Sequence, residues 1–345
     1  MIAFLFPGQG AQKVGMGKAL ADSYPEARAI FAEADAAFDR SAAAHAAAAQ
    51  DAAQAAAATS SAEEVARAFM VRDLSRIIFD GPEEHLMLTE ITQPAILTVS
   101  VAAARVLAAH GLHPAFVAGH SLGEYSANVV AGTMAFGDAL RVVQRRGRYM
   151  QEAVPLGVGT MAAILGLDAD DVRRACEEAA EGEVVSPANL NGPGQVSIAG
   201  HAAAVQRASE RARALGARRV VPLSVSAPFH CDLMKPAEAR LEPELRDLQT
   251  RDPRVPIAAN VDARLKRHAW SAIDALVQQV SAPVRWEEVV QRLAWEGVTT
   301  YVEVGPGTVL SGLVRKIHKQ AQVLQFGSPE DLGAVIAACS ISAGR

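Results

Sequence analysis

Short continuous apolar runs alternate along the chain with longer stretches whose apolar positions recur at helical spacing. Runs of the first kind predict buried strands, and those of the second predict amphipathic helices. "IAFLFPGQG" reads as a short buried strand ended by Pro7 and Gly8, and residues 17–39 have a helical period. "TQPAILTVSVAAARVLAAHG" predicts a helix that starts near Pro94 and is stopped by Gly111. "PAFVAG" follows as a strand, and helices are expected from Leu122 to about Gly132 and over roughly 137–152. Strand–turn–helix alternation of this kind argues for an α/β fold with a largely parallel sheet.

The middle of the chain changes character. "GTMAAILGL" predicts a strand, "DADDVRRACEEAA" a helix, "VVSPANLN" and "QVSIAG" strands, "HAAAVQRASERARALG" a helix and "ARRVVPLSV" a strand. The order β-α-β-β-α-β is the ferredoxin-like pattern. Residues 158–224 are therefore expected to form a ferredoxin-like α+β subdomain inserted into a larger domain made of residues 1–157 and 225–345. The larger domain resumes with a helix after Pro236, the strand "VPIAANV", helices near 271–280 and 286–296, and the strand "VTTYVEVG". Residues 42–58 are nearly pure alanine, and Ser61 to Glu64 reads as a capping box. Residues 42–70 are thus expected as a peripheral helical excursion, with a surface loop as the competing reading.

Composition narrows the classes. Half of the 345 residues are hydrophobic and 21% are charged, enough for a sizeable packed core. A net charge of −5 gives no general attraction to nucleic acid or to an anionic membrane. Cys176, Cys231 and Cys339 are widely spaced, which points neither to a zinc pair nor to a disulfide framework. The first residues lack the basic leader of a signal peptide, and no stretch approaches the roughly 20 uncharged apolar residues of a membrane span. A cytoplasmic monomer without metal or cofactor is the expectation.

The chemistry concentrates at Gly119-His120-Ser121-Leu122-Gly123, between an apolar strand and a helical pattern. This is the form of a nucleophile elbow, where small flanks relieve a strained turn. The following helix would aim free N–H groups at an acyl oxygen. A plain glycine-rich bend is the competing reading. A nucleophilic serine needs a base. His45 lies in the alanine tract; His85, His268 and His318 lie in polar segments and read as solvated; His110 and His113 flank a helix end. His120 adjoins the serine, but neighbouring side chains on a sharp turn diverge, so it is read as lining the pocket. His230 closes an apolar strand in "PLSVSAPFHCDLMKPA", where sites of α/β sheets form, although a buried structural histidine would fit equally.

At this point the chain resembles the malonyl-CoA:acyl carrier protein transacylases, the acyltransferases of fatty acid and polyketide synthesis. The matching segments are Phe6 to Gly10, Gly119 to Tyr125, Gln144 to Gln151, Ser186 to Asn191, Gly194 to Gly200, Phe229-His230, Pro283 to Trp286 and Glu303 to Gly307. They follow the family's order over nearly the whole chain. The alanine-rich stretch around 42–70 is longer than that pattern calls for. The resemblance implies an α/β-hydrolase-like core with the inserted ferredoxin-like subdomain. It implies Ser121 as nucleophile and His230 as base, the latter oriented by a backbone carbonyl near Gln279. It implies an oxyanion hole from the backbone N–H groups of Gln9 and Leu122, and Arg146 as the receptor for a malonyl carboxylate. Gln279, His120 and Phe229 would line the acyl pocket. Asn189 and Asn191 would contact the thioester arm, or serve only as turn formers. The implied substrates are malonyl-CoA and the phosphopantetheine thiol of acyl carrier protein, with a malonyl-serine intermediate. Three rivals stand beside this: an acyl-thioester hydrolase, a polyketide acyltransferase acting in trans, and a non-catalytic carrier-docking module.

Overall fold

The computed structural model describes residues 1–39, 73–223 and 225–342, with side chains as far as Ala338. The expected excursion over 42–70, its capping box and His45 lie outside the described residues. The apolar run at the start becomes β1 (Ile2–Phe6), whose last four residues are buried on both faces. It lies inside a six-stranded sheet with β2 (Phe116–Gly119), β7 (Ile257–Ala258), β8 (Leu265–Lys266), β9 (Thr300–Val304) and β10 (Gln322–Phe326), in the order β10-β9-β1-β2-β7-β8. Every pairing is parallel except that of β8 with β7. Continuous apolar strands are what a parallel sheet covered on both faces requires. The register sets Phe6 beside Gly119, so the turns after β1 and β2 leave the same carboxyl edge at the same level. That edge is where sites form in open α/β sheets.

The second sheet joins β3 (Gly159–Leu165), β4 (Val185–Gly192), β5 (Gln195–His201) and β6 (Arg219–Pro222) in the order β4-β5-β3-β6, with every pairing antiparallel. Helices Ala169–Ala179 and Ala202–Ala214 pack on it around Ile164, Val172, Val196, Ile198 and Val205. This is the ferredoxin-like strand order. Asp168 opens the first of these helices by accepting from the N–H of Asp171 at 2.8 Å. The sheet is stitched to the main body where Leu190 N–H donates to Val284 O at 2.8 Å and Val284 N–H to Ala188 O at 2.9 Å.

Three sequence expectations need correction. The helix expected from near Pro94 begins at Thr89 and carries Pro94 in its interior. All its residues from Thr89 to Ala104 are buried. A helix buried all round has no polar face to mark its start, and the proline read as a boundary removes only one hydrogen bond. The same helix is long and apolar enough to cross a membrane by length and composition, contrary to the sequence reading, but 89% of its apolar window is buried inside the protein. "VPIAANV" yields only the two-residue strand β7, because the chain turns at Asn260. Helix Val309–Ile317, strand β10 and helix Leu332–Ser342 complete the layer beyond β9 without having been anticipated.

Candidate active site

The turn from β2 into helix Gly123–Ala131 is possible only with glycine at its two ends. A Cβ on Gly119 would stand 1.9 Å from the carbonyl carbon of Gly123, and one on Gly123 would stand 2.0 Å from Phe6 O. The backbone thus folds against itself and against the end of β1, where His120 N–H donates to Phe6 O at 3.0 Å. Ser121 sits at the apex with φ +50°, a conformation rarely adopted by residues other than glycine. Asn260, just past β7, holds this apex from behind. Its Oδ1 accepts the Ser121 N–H and its Nδ2 donates to Gly119 O, each at 2.7 Å.

His230 reaches the serine from the loop after β6. Its Nε2 lies 2.7 Å from Ser121 Oγ, and its Nδ1 lies 2.9 Å from the backbone carbonyl of Gln279. A carbonyl can only accept, so Nδ1 carries the proton and Nε2 is left to accept the serine hydroxyl proton. Burial, reinforced by the nearby Arg146 charge, pushes the His230 pKa down to about 3. The imidazole is therefore neutral at neutral pH, as a base must be.

Helix Phe136–Glu152 carries four arginines, of which one turns inward. Arg141 and Arg145 are exposed and pair with Asp138 and Glu244, and Arg148 is half-buried beside the Tyr149 ring. Arg146 is buried at 2% exposure. Its Nη1 donates to Gln93 Oε1 at 2.8 Å, and its Nη2 to Gln279 Oε1 at 2.9 Å and Ser121 Oγ at 3.2 Å. The guanidinium lies 5.3 Å from the centre of the Tyr125 ring, and its Nε has no acceptor. Among the described residues no carboxylate forms an ion pair with it. Burial lowers its pKa. A buried cation held only by neutral oxygens is costly unless an anion can reach it.

The other expected residues surround this pair. Gln9 lies exposed on the turn after β1, with its Nε2 3.4 Å from Thr89 Oγ1. Neither its backbone N–H nor that of Leu122 donates to a protein acceptor among the described residues. His120 is half-buried, and its Nε2 lies 2.8 Å from Asn191 Oδ1. Its ring tilts at 59° to that of Trp286 with centres 5.5 Å apart, and it makes no hydrogen bond to Ser121. Burial, opposed by the Asn191 contact, lowers its pKa. Phe229 is buried directly before His230. Asn189 bridges Val284 through its backbone, and its side chain makes no hydrogen bond to Ser121, His230 or Arg146. Glu303 accepts the N–H groups of Leu310 and Ser311, which makes its segment the cap of a helix. His85, read as solvated, is instead buried at 8% exposure. No group of three or more metal-ligating side chains occurs among the described residues.

Three polar residues went unnoticed in the sequence: Gln93, Glu124 and Asn260. Gln93 sits in a buried helix, and Asn260 is distant in sequence from the serine it supports. Glu124 was visible within the quoted motif, three residues after Ser121, but reads there as an ordinary first-turn acid. Its Oε2 accepts from Gln279 Nε2 at 2.7 Å and from Asn260 N–H at 3.0 Å.

Comparison with known proteins agrees with this arrangement. The acyl transferase domain family matches residues 3–328. A malonyl CoA-acyl carrier protein transacylase of Escherichia coli O157:H7 is 46% identical over 335 residues, covering 97% of this chain and 98% of that protein. The structure of an acyl carrier protein S-malonyltransferase from Vibrio cholerae superposes with a TM-score of 0.86 at 42% identity, covering 97% of this chain and 99% of that one. A malonyl-transacylase solved in complex with its type II polyketide synthase acyl-carrier protein superposes with a TM-score of 0.84 at 41% identity, covering 96% and 97%. The chain belongs to the acyl transferase domain family, among the malonyl CoA-acyl carrier protein transacylases.

Proposed function

We propose that this chain transfers the malonyl group of malonyl-CoA to the phosphopantetheine thiol of an acyl carrier protein, through a malonyl ester on Ser121. His230 Nε2 takes the hydroxyl proton as Ser121 Oγ attacks the thioester carbonyl. The free N–H groups of Gln9 and Leu122 receive the oxyanion. His230 then protonates the departing CoA thiolate, which leaves the acyl-serine. The carrier thiol enters, loses its proton to His230 and attacks the ester, and the serine is regenerated. Throughout, Arg146 holds the malonyl carboxylate, with Gln279 and Phe229 shaping the wall and Asn191 fixing His120 at the rim. Asn189 sits on the same strand and borders the path of the pantetheine arm. These steps need no metal or cofactor.

One observation carries this reading: a buried guanidinium, without a carboxylate partner, 3.2 Å from the candidate nucleophile. A simple thioester hydrolase has no use for that cation. A substrate whose acyl group ends in a second carboxylate does. The relatives named for malonyl transfer to acyl carrier protein support the same substrate and acceptor. The likeness to a transacylase seen with a polyketide carrier keeps that pathway open as a second reading for the carrier. The test is to mix the protein with malonyl-CoA and phosphopantetheinylated carriers of both kinds and to quantify malonyl-carrier against free malonate. Carrier loading should outrun malonate release. Release as the dominant product would make the protein a hydrolase.

A further inference from the structure

Behind the site, Glu124, Gln279 and Asn260 form a buried polar chain, of which only Gln279 enters the scheme above. All three are at or below 1% exposure. The Gln279 amide is its hinge. Nε2 donates to Glu124 Oε2 at 2.7 Å and faces Ser121 O at 3.0 Å and Asn260 Oδ1 at 3.3 Å. Oε1 accepts from Arg146 Nη2 at 2.9 Å. An amide can be turned end for end at almost no cost in shape. Here the turned form would set Oε1 against the Glu124 carboxylate and the Ser121 and Asn260 oxygens, and Nε2 against the guanidinium, replacing four attractive contacts with repulsive ones. The acceptors on one side of Gln279, of which Glu124 is the nearest and the only acidic one, therefore set what it offers on the other.

We infer that Glu124 is a specificity-determining positioning residue: it locks the Gln279 amide so that its oxygen faces Arg146, and so holds the guanidinium at the acyl end of the pocket without itself touching substrate. This rests on the reading of Arg146 as the receptor for the malonyl carboxylate. Three further features agree with it. Glu124 lies in the first turn of its helix, where the helix dipole favours an acid. Its second bond, from Asn260 N–H, anchors it to the residue that straps Ser121. Burial, opposed by the bonds from Gln279 and Asn260, raises its pKa to about 7, so the acid is kept at some cost where an apolar residue would pack.

The test compares the wild type with Glu124→Met, Glu124→Gln and Gln279→Met. Three rates are measured: acylation of the intact protein by malonyl-CoA, acylation by acetyl-CoA, and sulfonylation of Ser121 by phenylmethanesulfonyl fluoride, which has no carboxylate. Glu124→Met should lower the malonyl-to-acetyl ratio about tenfold, the loss expected for one charge-assisted bond, while sulfonylation persists. Glu124→Gln retains an oxygen at the accepting position and should restore most of the ratio. Gln279→Met keeps the backbone carbonyl that orients His230 and should lose the ratio as Glu124→Met does; it also carries the test alone if Glu124→Met does not fold. An unchanged ratio in Glu124→Met or Gln279→Met overturns the inference, as does a parallel fall of malonylation and sulfonylation. The wild type separates this from the parent reading, because a wild type that takes no malonyl group refutes the proposed function itself.

Discussion

Ser121 Oγ and His230 Nε2 lie 2.7 Å apart, and both residues hold left-handed backbone angles, φ +50° and +61°. Only Glu181 and Ala263 share that feature among the described residues other than glycine. Each such residue costs on the order of 1–3 kcal/mol, so both residues of the reacting pair carry backbone strain. The surrounding contacts over-determine the geometry. Asn260 grips the serine from behind, and the Gln279 carbonyl grips the histidine.

The elbow should tolerate no side chain at its flanks. Gly119→Ala places a Cβ where backbone atoms already lie, within 1.9 Å. Chemical denaturation should show a loss of about 3 kcal/mol or a failure to fold. An alanine variant of wild-type stability would mean that the turn is looser than described.

The pH dependence follows from the His230 pKa of about 3, against its ordinary 6.5. The unfolded chain binds the proton between those values and the native chain does not. The contribution of His230 to stability is therefore fully present above about 6.5 and is lost as pH falls toward 3. Glu124, raised to about 7, acts with the opposite sign in part of that window. The measurable quantity is thus the stability of the wild type minus that of His230→Gln, which should shrink as pH drops from 7 to 4. Serine acylation should show no acid limb near 6.5.

How far the sequence was legible depended on whether a signal was local. Gly119-x-Ser121-x-Gly123 could be read because the steric demand of the elbow is met by its own neighbours. His230 was singled out as the end of an apolar strand, but the strand stops at Pro222 and its residues are partly exposed, so the histidine sits in a loop and its role as base came from the family resemblance. The ferredoxin-like order followed from alternating periodicities within 158–224. By contrast, Asn260 acts on a residue 139 positions away and sits in an unremarkable loop. Gln93 is one polar position in a helix buried all round, whose start at Thr89 was invisible for the same reason. Of the four arginines on helix Phe136–Glu152, periodicity alone could not say which one turns inward, and the family resemblance supplied Arg146.

Arg146→Ala should cut malonyl acylation about a hundredfold while changing acetyl acylation far less, since only the malonyl group presents a carboxylate. Arg146→Lys should not restore the rate, because an ammonium cannot reproduce the planar fork that Gln93 and Gln279 hold. Competition between malonyl-CoA and acetyl-CoA measures this directly. Unchanged selectivity in Arg146→Ala would assign the carboxylate to another residue.

Asn260→Ala removes two buried bonds of 2.7 Å from the elbow backbone and leaves the Ser121 N–H and Gly119 O without partners. A stability loss of about 2–3 kcal/mol is expected, together with slower sulfonylation of Ser121. Full reactivity in that variant would show that the glycines alone hold the turn.

The most direct measurement is intact-protein mass after brief mixing with malonyl-CoA, for the wild type and for Ser121→Ala. The expected result is one malonyl adduct on the wild type, mapped to the peptide containing Ser121, discharged by adding phosphopantetheinylated carrier and absent from Ser121→Ala. A malonyl adduct of equal yield on Ser121→Ala, or a wild type that takes no malonyl group, would contradict the assignment of Ser121 as the residue that carries it.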